Sequence, residues 1–224
     1  MNINMHSVNF TSRSATVRKA DKICRLVNNT YPAYSPSKIM CKSYFKKDMN
    51  AYKIANRLQE DLKEFVRTPL QSIKDMNLKL LYFKTLSDKI KKFHIANCEE
   101  LMNLASLTCA VNKIKSLPVK LLAVDEKDII KKEIDHVVLA IPLSDKGVIL
   151  DRMSRQKDVI IIDPWLGIAD YAPNIERRYK DCPDIMKLPN NIRLGLDTYI
   201  KAADSVPETL FENLREMFPE LIIN

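Results

Sequence analysis

The order of hydrophobic periodicities predicts an α+β fold, with a helical front half packed on an antiparallel sheet. Apolar residues recur at three- and four-residue spacing as far as Val111, short β-branched runs follow Pro118, and the tail returns to helical spacing. Only three glycines occur (Gly147, Gly167 and Gly195), which leaves no phosphate-cradling loop and argues against a nucleotide-binding fold.

Residues 1–47 hold nine Lys or Arg and a single acid, Asp21, so the formal charge of +8 belongs to this stretch and the remainder is neutral. With Pro32, Pro36 and many small polar residues, the stretch reads as a basic, flexible extension ahead of a catalytic domain over 48–224. Such an extension suits contact with an anionic surface or a plain solvated role. From Ala51, the residues Ile54, Leu58, Leu62 and Phe65 predict a first amphipathic helix, interrupted at Pro69. A second runs through Ile73, Met76, Leu80, Phe83, Leu86, Ile90 and Phe93. A third starts at Cys98, because Asn97 and Glu100 have the spacing of a capping box and Leu101, Leu104, Ala105, Thr108 and Val111 follow. Strands are expected at Val119–Val124, His136–Ile141, Val148–Leu150 and Val159–Ile162, antiparallel because their connections are short. Leu210, Phe211, Leu214, Met217 and Phe218 give the tail helix its apolar face, with Pro207 near its start.

The chain is 224 residues long, with 46% hydrophobic and 29% charged residues, values of an ordinary packed domain. No apolar run approaches the roughly 18 residues of a membrane span, and the first thirty residues lack the apolar stretch of a secretory signal. Five scattered cysteines without paired spacing fit a reducing compartment better than a disulfide framework. Three histidines (His6, His94 and His136) leave few candidates for any mechanism that needs an imidazole.

A cysteine at a helix N-terminus has its thiolate favoured by unpaired N–H groups and the positive end of the helix dipole. Cys98 falls at such a position. An imidazole then pairs with the thiolate and gives a proton to the leaving group, while a carboxylate fixes the imidazole tautomer. His136, at the entry of one predicted strand, and Asp163, at the exit of another, suit those roles. Adjacent strands would bring them to one edge of the sheet, where the Cys98 helix completes a Cys-His-Asp triad.

Three blocks carry a resemblance: Asn97-Cys98-x-Glu100, Asp135-His136-Val137-Val138, and Ile161-Ile162-Asp163-Pro164-Trp165-Leu166-Gly167. They resemble the Cys, His and Asp blocks of papain-like and transglutaminase-like bacterial effectors, which include cysteine proteases, glutamine deamidases and transglutaminases delivered into host cells. The likeness covers about residues 93–172, and Ala96 and Glu99 stand where these families often carry glycine. It implies a papain-like cysteine hydrolase architecture, a thioester intermediate with no cofactor or metal, and an oxyanion hole using the Cys98 N–H. It further implies a host-cell protein as substrate and export without a classical signal peptide to act in the host cytoplasm.

Near the triad, Asn97 fits either a cap or an oxyanion donor, and Trp165 either a shield over the His136–Asp163 pair or a core residue. His94, four residues before Cys98, would share a helix face with it and give half of a metal site, but no second ligand pair exists; packing near the nucleophile helix or contact with substrate is the stronger reading. Cys109 reads as a core residue, Cys182 as a loop thiol, and Cys24 and Cys41 as bystanders in the basic lead. No recognised motif accompanies the basic charge, so nucleic acid is not an expected partner, and peripheral membrane contact by the extension stays open. Small-molecule acyl transfer, as in arylamine acetyltransferases, is a further enzymatic variant. The competing class is a non-catalytic module that docks a partner through the basic arm or the helical half.

Overall fold

The computed structural model describes residues 14–33, 35, 53, 56, 57, 60, 76–143, 151–180, 192–198 and 208–223. Helix α1 (Ala15–Thr30) opens the described chain. Ser14 caps it by accepting a hydrogen bond from the Val17 N–H at 3.2 Å. Its residues Val17, Ala20, Ile23, Cys24 and Val27 fall on one stripe and are buried, while Arg18, Lys19, Lys22 and Arg25 face outward. This corrects the expectation of a flexible extension over 1–47. Residues 15–31 belong to the main core, and their cations are the solvated side of an amphipathic helix. Residues 1–13, 34 and 36–47, Cys41 among them, lie outside the described residues.

Of the expected helix at 51–65, its apolar markers Ile54, Leu58, Leu62 and Phe65 lie outside the described residues. Helix α2 (Met76–Phe93) and helix α3 (Cys98–Val111) follow where the periodicity placed them, apart from Ile73, which lies outside the described residues. The tail forms α5 (Glu208–Met217), after α4 (Ala172–Lys180), which the sequence reading did not anticipate. Helix α3 is buried nearly all round, from Glu100 and Leu101 to Cys109 and Val111. It packs against α1, α2, α5 and three strands.

The strands are β1 (Leu117–Val124), β2 (Ile130–Pro142), β3 (Asp151–Arg152), β4 (Val159–Asp163), β5 (Ile168–Tyr171) and β6 (Arg193–Thr198). They form one sheet in the order β3-β6-β1-β2-β4-β5, with every neighbouring pair antiparallel. The coarse α+β arrangement is therefore as expected. Strands β5 and β6 are additions to the sequence reading, and Val148–Leu150 lies outside the described residues.

Both faces of the sheet are covered, which explains why β4 reads as an unbroken Val-Ile-Ile-Ile run rather than an alternating one. Val137, Leu139, Ile141, Ile160 and Ile162 face the core built by α1, α3 and α5. Val138, Ala140, Val159 and Ile161 face the second core, to which α4 contributes Ile175 and Tyr179. Among the described residues, no helix is long and apolar enough to cross a membrane.

The placement of α1 has a measurable consequence. Ile23→Ala removes a fully buried side chain and should lower the unfolding free energy by about 2–5 kcal/mol. Arg25→Ala breaks only an exposed i,i+4 pair with Asp21 and should change it by about 0.5 kcal/mol or less. Urea titrations of both variants check this; equal costs would place α1 outside the core.

Candidate active site

Helix α2 ends at Phe93, where His94 adopts the left-handed region with φ 53° and donates its N–H to the Ile90 carbonyl at 2.8 Å. The chain is non-helical until Asn97, the cap of α3. The Asn97 N–H donates to a Glu100 carboxylate oxygen at 2.8 Å, the side-chain-to-backbone half of a capping box. Cys98 is thereby the first residue of α3, with the unpaired N–H groups of the first turn around it. His94 and Cys98 do not share a continuous helix, so the one-face arrangement that would give half a metal site does not form. His94 is exposed, and its Nδ1 lies 3.1 Å from the Pro32 carbonyl oxygen.

His136 lies in β2 at an irregularity. Between the pairs Lys120↔Val137 and Leu122↔Glu133, β1 contributes one residue and β2 three, Ile134, Asp135 and His136. Extra residues of this kind re-aim side chains. The ladder between β2 and β4 runs only from Leu139 to Pro142, so His136 lies beyond it, alongside the turn that follows Asp163. Its Nε2 is 2.8 Å from Oδ2 of Asp163, and both residues are buried. The Cys98 sulfur is near enough to the same ring to help raise its pKa. With Nε2 committed to Asp163, Nδ1 is the nitrogen left to face the sulfur. The structure thus brings Cys98, His136 and Asp163 together.

The Asp163 carboxylate accepts three hydrogen bonds. Besides His136, the Tyr179 hydroxyl donates to Oδ2 at 2.6 Å and the Leu166 N–H donates to Oδ1 at 3.0 Å. Burial alone would raise its pKa, yet the His136 charge and these donors hold the carboxyl below its usual range. Burial works against charge on His136 as well. There the Asp163 carboxylate, reinforced by the Cys98 thiol, prevails and raises the imidazole pKa to about 10. The resting pair is an imidazolium beside a carboxylate.

Trp165 covers this pair, its ring centroid 5.1 Å from that of His136. The indole N–H donates to the Ser35 hydroxyl at 2.8 Å, and that hydroxyl donates to Asn97 Oδ1 at 2.7 Å. Ser35 and Tyr179 are the site residues that sequence reasoning missed. Tyr179 is visible only as an apolar partner of Ile175 at i,i+4, and Ser35 carries no local signal at all.

The remaining described cysteines are set apart by burial. Cys24 lies in α1 with its sulfur 3.7 Å from the Asp163 carbonyl oxygen, and Cys109 is enclosed in α3, where burial pushes its thiol up to about 12. Of the three described cysteines, only Cys98 is not buried; Cys182 lies outside the described residues. A cleft of about 600 Å³ opens next to the turn that follows Asp163, lined by Asn28, Pro32, His94, Pro164, Leu166 and Gly167 among others. Cys98 and His136 do not line it, so the hollow and the chemistry are neighbours rather than one space. Among the described residues, no group of three or more His, Cys, Asp or Glu is placed to hold a metal ion. No family model matches the chain, no curated protein matches it, and no solved structure matches it.

The charged pair sets a pH dependence. His136 has a folded pKa above its ordinary 6.5, so its contribution to stability is complete below about 6.5 and is lost as pH rises through about 10. Asp163 has a folded pKa below its ordinary 3.8, so its contribution is present above about 3.8 and is lost as pH falls through the folded value. Nitrogen NMR of the His136 ring should show an imidazolium persisting well above pH 6.5, and Asp163→Asn should bring that titration down. A ring already neutral at pH 7 in the wild type would contradict the pairing.

Proposed function

We propose that this protein is a cysteine-nucleophile hydrolase or acyltransferase of papain-like or transglutaminase-like architecture, acting on a carbonyl group of a protein substrate. The observation that carries the reading is the relay from the α3 N-terminus through His136 to Asp163. A half-buried thiol, an imidazole beside it and a buried, fully bonded carboxylate are the parts that thiol acyl transfer needs.

In the acylation half, the Cys98 sulfur attacks the carbonyl carbon, a C–S bond forms, and the carbonyl oxygen becomes an oxyanion facing the Cys98 N–H. The oxyanion collapses, the C–N bond breaks, and the imidazolium of His136 gives its proton to the leaving nitrogen. In the second half, neutral His136 takes a proton from an attacking water or amine. The thioester C–S bond breaks, the sulfur leaves as a thiolate, and the proton stays on His136, which restores the imidazolium. Asp163 holds the ring orientation through both halves and stabilises the imidazolium. A peptide amine as leaving group gives a protease; ammonia from a glutamine gives a deamidase or, with an attacking amine, a transglutaminase.

The three sequence blocks add export into a host cell and a host protein as substrate to the same proposal. The test is a comparison of Cys98→Ala with the wild type. The variant should lose the biological effect while its melting temperature stays nearly unchanged. Asp163→Asn should lower turnover by orders of magnitude, about 10⁴-fold where tautomer control is lost in a comparable triad. Full effect in Cys98→Ala would discard the enzyme and favour a module that docks a partner.

A further inference from the structure

We propose that Asn97 is the second oxyanion donor of this site and that Ser35 is the positioning residue that aims it. The inference rests on the acyl-transfer reading above and follows from the direction of one hydrogen-bond chain. An indole N–H can only donate. The Trp165 N–H therefore fixes the Ser35 oxygen as its acceptor, and the Ser35 proton is left to be donated onward. Its recipient is the oxygen of the Asn97 amide. With Oδ1 turned to Ser35, the Nδ2 group, a pair of donors, is turned away from it. Among the described residues no hydrogen-bond partner is recorded for Nδ2.

Asn97 is half-buried and directly precedes Cys98. Its amide thus belongs to the same turn as the Cys98 N–H, where negative charge develops on the carbonyl oxygen during attack. Ser35 is 3% exposed, so the hydroxyl that holds Oδ1 is shielded from competing water. Trp165, buried in the main core, lies over His136. The Asn97 amide is thus aimed by a hydroxyl contributed by a segment 62 residues before it in sequence.

Two reagents separate this role from a merely structural one. p-Nitrophenyl acetate acylates a thiol through an oxyanion: the sulfur forms a C–S bond, p-nitrophenolate leaves, and the thiol proton stays with the protein or solvent. Iodoacetamide alkylates the same sulfur by displacing iodide, with no oxyanion. In the full chain, Ser35→Ala should slow acylation of Cys98 by at least about tenfold, and Asn97→Ser, which keeps a capping oxygen, by about 10². Alkylation rates should stay within twofold of the wild type, which also reports an intact site. Ser35→Thr, which keeps the hydroxyl, should restore acylation. Unchanged acylation in Ser35→Ala and Asn97→Ser, or an equal fall in both rates, would overturn the inference and leave the nucleophile standing. A wild-type Cys98 that acylates no faster than free cysteine would overturn the acyl-transfer reading and this inference with it.

Discussion

Asp163 carries a charge in the interior, and a buried carboxylate without donors would cost several kcal/mol. Its three bonds come from three places in the fold: His136 on β2, Tyr179 on α4 and the Leu166 N–H in the turn between β4 and β5. Each of these elements must be in register for the charge to be satisfied. The β2–β4 pairing, the docking of α4 on the second face of the sheet and the shape of the turn are therefore coupled through one side chain. The same arrangement leaves the imidazole oriented through its Nε2. Structural and chemical demands on Asp163 coincide.

Cys98 is held by different means. Helix α3 is enclosed by α1, α2, α5 and the sheet, so its axis is fixed by packing and its first turn by the Glu100 bond to Asn97. The three site residues sit where regular structure starts, stops or breaks: Cys98 begins a helix, Asp163 ends a strand, and His136 occupies an irregularity within one. Rigid elements supply the positions, and their ends and irregularities free the side chains to meet.

Much of this was legible from spacing alone. The Asn97-x-x-Glu100 signature located the start of α3 because capping is a local interaction. The β-branched runs located β1, β2 and β4 because side-chain shape and burial act residue by residue. What stayed hidden depended on tertiary context. Helix α1 has a regular apolar stripe, but its four outward cations and the prolines that follow read as a solvated lead. Strand β6, Arg193-Leu194-Gly195-Leu196-Asp197-Thr198, has too few β-branched residues to stand out, and becomes a strand by pairing along β1. Tyr179 and Ser35 join the site from residues 16 positions after and 130 positions before their partners Asp163 and Trp165. No local pattern encodes such contacts.

Cys24 of α1 touches the carbonyl of Asp163 across 139 residues of sequence, and Tyr171 reaches back to Ser14 across 157. The earliest described helix thus completes its packing only against strands made late in synthesis. On the ribosome its apolar stripe has no β4 or β5 to rest on until most of the chain has emerged. Contacts of such long range are slow to form, because loop closure must come before they can contribute. A nascent chain that ends before β4 holds Cys98 without Asp163.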